Sequence, residues 1–342
     1  MPPGHPSFHP CTLQINIDPR TELLAVVQYL AGYGQRFPLL TDFDLSYKAE
    51  IETAFQTFRG HPAVTLFDQM SSTFHADAPP AAMFHLSEPP VLAVEVPFTD
   101  YLVKRAGGTD RLEQFIVALR DFAQESLFMD FYRAHSTFYA TILEPMVSQL
   151  SEVDDVAILE QYFGMQQHNY TLILAPLFSG NSAYDARICR ADSQFDLYGI
   201  AGAAGMDEKH HPVFDEPAHM RSLLWHEFAH AFVNPLTEQH LDAVNQYQAL
   251  FGTVAERMTQ YGYGSWEITV NEHIVRAVTV RLKTLVLGES KGQAGLEQEL
   301  AWGFAYTSRI VECLKQYETQ RACFPAFRDF YPELIGAFRV DL

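Results

Sequence analysis

The sequence predicts an α+β fold, predominantly α, with a small central sheet between two sets of helices. Three observations predict it. Apolar residues recur every three or four positions from Asp18 to about Gly164, as on the buried faces of helices. Two short β-branched or aromatic runs follow, residues 170–174 and 194–200, bounded by Pro, Gly, Asn and Asp. Helical spacing then returns at Pro217 and continues almost to the end of the chain. With 342 residues, 48% hydrophobic and 19% charged, the chain can bury a sizeable core in one large domain or two ordinary ones. The change of pattern puts the division near residue 165, giving a helical amino-terminal part (1–165) and a second part (166–342) that holds the sheet.

The first helix is expected over residues 19–33, where Leu23, Leu24, Val27, Tyr29 and Leu30 share a face. Residues 45–58 and 111–122 continue the pattern, and Pro-rich breaks at 78–81 and 87–91 divide it. Residues 129–150 read as one long helix carrying Phe131, Tyr132, Phe138, Tyr139, Ile142 and Leu143. After the sheet, Asp215, Glu216 and Pro217 form a helix start, with acids at the positive end of the dipole and proline where a missing N–H costs nothing. That helix should stop near Asn234, because Pro235 disfavours helical geometry in the residue before it. Three more helices are expected over residues 239–260, 266–287 and 295–317.

Composition narrows the function. The 42 acidic against 23 basic residues give a net charge of −19, which repels nucleic acid phosphates and anionic lipid surfaces. No run approaches the ~18 apolar residues that cross a bilayer, so no membrane insertion is expected. The amino terminus lacks the basic and apolar regions of a secretory signal and reads as cytoplasmic, although a signal already removed would leave the same appearance. Cys11, Cys189, Cys313 and Cys323 make no CxxC pair and read as free thiols.

The chemistry concentrates in His226-Glu227-Phe228-Ala229-His230, an H-E-x-x-H motif inside the helix that starts at Pro217. A spacing of four is little more than one turn, so both imidazoles project from one face and can share an ion. Two imidazoles bind Zn²⁺ in a shell with room for a third ligand and a water, and Glu227 is positioned to take a proton from that water. Met220, Leu223, Leu224, Phe228, Phe232 and Val233 make the helix apolar nearly all round, and two histidines and a glutamate there are costly unless they bind something.

A metzincin would continue with glycine and a third histidine, but Val233 and Leu236 stand at those positions. Glu272, in the apolar stretch 265–277, is the best third ligand, and Arg276 one turn on can orient its carboxylate. Glu267 and His273 compete for the role but point about 140° and 100° away from Glu272. His240 and Asp242 follow the Pro235 turn too closely to swing back. Hydrolysis also needs a donor for the developing oxyanion, for which Tyr198, Tyr261, Tyr263, His210 and His211 are candidates. His5, His9 and His219 read as structural or solvent-exposed.

Beyond these motifs, the chain resembles a bacterial domain-of-unknown-function family read as zincin-like metallopeptidases with a glutamate third ligand. The resemblance rests on residues 17–24, on His61-Pro62-Ala63-Val64, on the HEFAH motif with Val233-Asn234-Pro235-Leu236, and on Asn271-Glu272-His273-Ile274-Val275-Arg276. It implies a gluzincin-like zinc site of His226, His230 and Glu272, with Glu227 as base. The expected function is hydrolysis of a peptide or protein substrate by the second, zincin-like part of the chain. A non-catalytic zincin-fold scaffold, or a zinc hydrolase of a non-peptide amide or ester, would use the same residues.

Overall fold

Asp18 opens the first helix, Pro19–Leu30, by accepting the Arg20 N–H at 2.8 Å, and the same carboxylate pairs with the Arg20 guanidinium at 2.7 Å. Arg20 in turn donates to the Leu86 carbonyl at 3.0 Å, so the segment Asp18–Arg20 both starts a helix and ties down a distant loop. The computed structural model describes residues 12–180, 183–190 and 194–339. The fold is α+β and predominantly α, with one four-stranded mixed sheet.

The chain divides into two compact units, neither continuous in sequence. The larger comprises Thr12–Asp154 and His168–Met220, and the smaller comprises Asp155–Gln167 and the segment from Arg221 onward. A single cut at residue 165 would group the sheet with the carboxy-terminal helices, whereas its strands belong to the larger unit with the amino-terminal ones.

In the larger unit the strands are β1 (Gln14–Asn16), β2 (Asn169–Ser179), β3 (Ala183–Cys189) and β4 (Phe195–Ala203), in the order β1-β2-β4-β3. β2 is parallel to β1 and β4, pairing Thr171 with Gln14 and with Tyr198, while β3 returns antiparallel to β4. β2 is buried along almost its whole length, which is why it reads as a continuous apolar run. A short hairpin of β5 (Gly205–Met206) and β6 (Pro212–Val213) follows.

Several expected helices are interrupted, each by an identifiable competitor. Residues 129–150 form two helices, Phe128–Ala134 and Ser136–Leu150, because the His135 ring contacts the Phe131 carbonyl at 2.7 Å, placing a side chain at a helical acceptor. Residues 239–260 break into Leu241–Asn245, a 3₁₀ turn at Gln248–Leu250, and Phe251–Gln260. There Trp266 Nε1 takes the Val244 carbonyl at 2.9 Å and Tyr306 Oη takes that of Leu250 at 2.9 Å. Residues 295–317 are split by Gly303 at φ 96°, which ends Glu289–Trp302 before Thr307–Thr319 begins. The prolines at 79 and 80 sit in the first turn of a short helix, Ala78–Met83, and so start an element where a break was expected.

The larger unit also buries a carboxyl group. Glu22 is fully buried, accepts the Tyr47 hydroxyl at 2.7 Å, and keeps an Oε1 with no hydrogen-bond partner among the described residues. Burial pushes its pKa up from 4.5 to about 7, against the opposing Tyr47 hydrogen bond. A raised carboxyl pKa means that its stabilising contribution is complete below pH 4.5 and is lost as pH rises through 7. Two and a half pH units correspond to about 3 kcal/mol. Glu22→Gln should therefore gain about that much stability relative to wild type between pH 4.5 and 8 in urea unfolding; an unchanged difference would show that Glu22 stays ionised in the fold.

Candidate metal centre

The HEFAH residues lie in helix Pro217–Gln239, within its portion that belongs to the smaller unit. Leu224, Trp225, Phe228, Ala229, Phe232 and Val233 are essentially inaccessible to solvent, and Phe232 stacks on Phe163 with ring centroids 4.3 Å apart. Packing on nearly all sides fixes the rotation of this helix and therefore the direction of its histidines. The helix does not stop at Asn234 as Pro235 suggests; it continues one turn to Gln239. Proline removes the N–H that would meet the Ala231 carbonyl, and Gln167 Nε2 approaches that carbonyl at 3.5 Å instead.

Glu272 is carried by helix Trp266–Leu282, which Ser265 caps by accepting the Ile268 N–H. The Thr237 hydroxyl donates to Asn271 Oδ1, tying this helix to the HEFAH helix beside the ligand. Glu272 Oε1 lies 3.4 Å from His230 Nε2, and Oε2 lies 3.7 Å from His226 Nε2. The ligand atoms of all three residues fall within 4.8 Å of one another. Tetrahedral ligands at ~2.1 Å from an ion stand about 3.4 Å apart, so the spacing suits a bound cation.

Protonation supports the same conclusion. His230 Nδ1 meets Asn234 Oδ1 at 3.1 Å, and its Nε2 faces the Glu272 carboxylate. Burial, then Arg276 and His230, hold His226 well below the usual imidazole range, so it is neutral. Two imidazole nitrogens and a carboxylate thus face each other at 3.4 and 3.7 Å. The buried Glu272 Oε2 has no hydrogen-bond donor among the described residues. A group of this kind could hold a metal ion.

Around them lies a charged frame that the sequence only partly announces. Arg276 Nε is 3.3 Å from Glu272 Oε2, as its place one turn on suggests. The same guanidinium donates to Glu299 at 2.9 Å and to the Tyr263 phenol oxygen at 3.4 Å, and lies 3.8 Å over the Phe304 ring. Glu299 and Phe304 carry no recognisable signal in the sequence, and Asn234 enters there only as part of the Val233-Asn234-Pro235-Leu236 motif.

Of the other candidates, Tyr263 alone joins this group. Tyr261 is exposed and donates to the Trp302 carbonyl. Tyr198, His210 and His211 belong to the larger unit: Tyr198 stacks on Phe84 at 4.0 Å, His210 Nδ1 meets the Asp44 carbonyl, and His211 packs its ring edge against Phe138. His273 is a core histidine, buried against Phe304 and Tyr306 with Nδ1 at the Thr269 carbonyl and no partner for Nε2 among the described residues; burial lowers its pKa to about 4. Glu267 lies toward Tyr331, His240 stacks on Tyr331, and Asp242 is exposed, so none joins the cluster. His219 is exposed beside Asp215, and His5, His9 and Cys11 lie outside the described residues. Cys189, Cys313 and Cys323 are free thiols, and no helix among the described residues is long and apolar enough to cross a membrane.

No curated protein and no solved structure matches the chain. One family model does: a domain of unknown function, DUF4932, matches residues 13–337 and so takes in both units and every residue of the candidate centre. The chain belongs to the DUF4932 family.

Proposed function

We propose that this protein is a zinc-dependent hydrolase of peptide bonds, with His226, His230 and Glu272 as ligands. The observation that carries the reading is the convergence of two imidazoles and a buried carboxylate, with a second carboxylate, Glu227, next to His226 on the same helix. A two-histidine, one-carboxylate set also suits iron(II), and the adjacent base is what favours hydrolysis. Zinc bound here would polarise a substrate carbonyl and lower the pKa of water.

The chain's own residues supply the rest. Glu227 takes a proton from the attacking water as its oxygen bonds to the carbonyl carbon, and passes that proton to the amine when the C–N bond breaks. Tyr263 is the donor for the oxygen that gains charge. Burial, then Glu272, raises the Tyr263 pKa, so the phenol keeps its proton, and Arg276 meets the phenol oxygen while leaving the O–H free to donate. Arg276 also fixes the Glu272 carboxylate.

The test compares carboxylates on one helix. Glu272→Ala should abolish tight zinc binding and cleavage of a fluorogenic peptide pool, while Glu267→Ala should leave both near wild type. Arg276→Ala should fall between, with a loss of roughly 10–100-fold. Equal effects at Glu267 and Glu272 in zinc titrations would refute the ligand set, and a zinc-loaded wild type that cleaves no peptide in the pool would refute the reaction.

A further inference from the structure

Asn234 stands one turn beyond His230 on the HEFAH helix, so the two side chains share a face. Local propensity argues against asparagine there. Its amide competes for backbone hydrogen bonds inside a helix, and the residue before a proline is disfavoured in helical geometry. The helix nevertheless runs through Asn234 and Pro235 to Gln239. A residue that breaks two local rules points to a role that local structure does not explain. The structure shows what it reaches: the Asn234 side-chain oxygen lies 3.1 Å from His230 Nδ1.

The other ring nitrogen, Nε2, lies 3.4 Å from Glu272 Oε1, and His226 Nε2 lies 3.7 Å from Oε2. Hydrogen-bonded N–H···O pairs lie closer, at about 2.7–3.2 Å. A neutral imidazole carries its proton on one nitrogen or the other. With the proton on Nε2, the Nδ1 lone pair would meet the Asn234 oxygen, leaving two acceptors at hydrogen-bond distance. With the proton on Nδ1, the N–H donates to Asn234 and the Nε2 lone pair faces the carboxylate across a gap that suits a shared cation. The next turn of the same helix carries Thr237, which donates to Asn271, the neighbour of Glu272, and also meets the Tyr331 hydroxyl. Consecutive turns of one helix thus hold the imidazole and the helix that carries the carboxylate.

We propose that Asn234 is a positioning residue for the metal: its side-chain oxygen accepts the His230 Nδ1–H and so commits Nε2 to be the ligand atom. This rests on the metal-centre reading above and adds the atom through which His230 binds and the residue that selects it. An acceptor at Nδ1 fixes the ring orientation and makes Nε2 more basic, and losing such a partner costs roughly 10–100-fold in metal affinity.

The test uses the full chain and zinc alone, titrated in competition with a chromophoric chelator. Asn234→Leu keeps the side chain near its original size and removes the acceptor, and it should weaken zinc binding roughly 10–100-fold. Asn234→Asp keeps an oxygen and loses the amide N–H, and it should bind zinc at least as tightly as wild type. Wild-type affinity in Asn234→Leu overturns the assignment, and so does an Asn234→Asp variant as weak as Asn234→Leu, which would make the amide a donor to Nδ1. Should the leucine variant fail to fold, wild type itself decides. In long-range proton–nitrogen correlation spectra of the zinc-loaded, histidine-labelled chain, His230, assigned through its backbone, should carry its proton on Nδ1 and the metal on Nε2. Metal on Nδ1 overturns the assignment while leaving the metal centre intact. A wild-type chain that takes up no zinc overturns the metal-centre reading, and this assignment with it.

Discussion

Alanine at His226 or at His230 is expected to take the zinc content from about one per chain to almost none, because each removes one of the three proposed ligands. The effect should also be visible in stability. A metal that binds only the folded chain stabilises it by about 4 kcal/mol at a thousandfold excess over Kd. Wild type should therefore melt higher with zinc than with chelator. His226→Ala and His230→Ala should melt at the same temperature in both conditions. Elemental analysis and scanning calorimetry check the two outcomes; an alanine variant that keeps stoichiometric zinc, or that still gains stability from it, removes these residues from the ligand set.

The parts of this centre that are legible in the sequence are those written in local geometry. His226 and His230 sit one turn apart on a helix whose buried surroundings leave few roles for them, and the same one-turn rule links Glu272 to Arg276. Helical angle lets at most one of Glu272, Glu267 and His273 face the histidines, Arg276 one turn on favours Glu272, and the structure brings that residue to His226 and His230. Glu299 and Gln167 are invisible for the opposite reason. Each meets its partner across a long stretch of chain, Arg276 for one and the Ala231 carbonyl for the other, and no periodicity encodes such a meeting. The same limit explains the helix errors. Pro235 is a stop signal only if nothing replaces its missing N–H, and His135, Trp266 and Tyr306 interrupt helices by occupying carbonyls from a distance or from an unexpected rotamer. β1 escapes a periodicity search because it has three residues, and β3 because its alternation is spread over only seven. The membership of the sheet in the larger unit depends on contacts between residues 12–154 and 168–220 that no local pattern reports.

Glu227 provides the sharpest test of chemistry against architecture, because it lies outside the ligand set and is given a proton-transfer role alone. Glu227→Gln preserves the size and most of the hydrogen-bonding shape of the side chain and removes its basicity. Zinc content and melting temperature should stay near those of wild type. Turnover of the peptide pool should fall by about 10²–10⁴-fold, toward the upper end because the same group both activates the nucleophile and protonates the leaving amine. The loss should appear in kcat and in kcat/KM together, since a base that acts only as bonds change contributes little to ground-state binding. The neighbouring charges support this separation: Glu227 lies close enough to Tyr263 to raise its pKa, so the substitution also removes a negative charge from beside the proposed oxyanion donor. Removing that charge makes the phenol a slightly better acid, an effect of the wrong sign to explain a loss of rate. A collapse in turnover at constant zinc content therefore reports the base itself, and a Glu227→Gln variant that turns over at the wild-type rate would leave the centre as a metal site without the proposed chemistry.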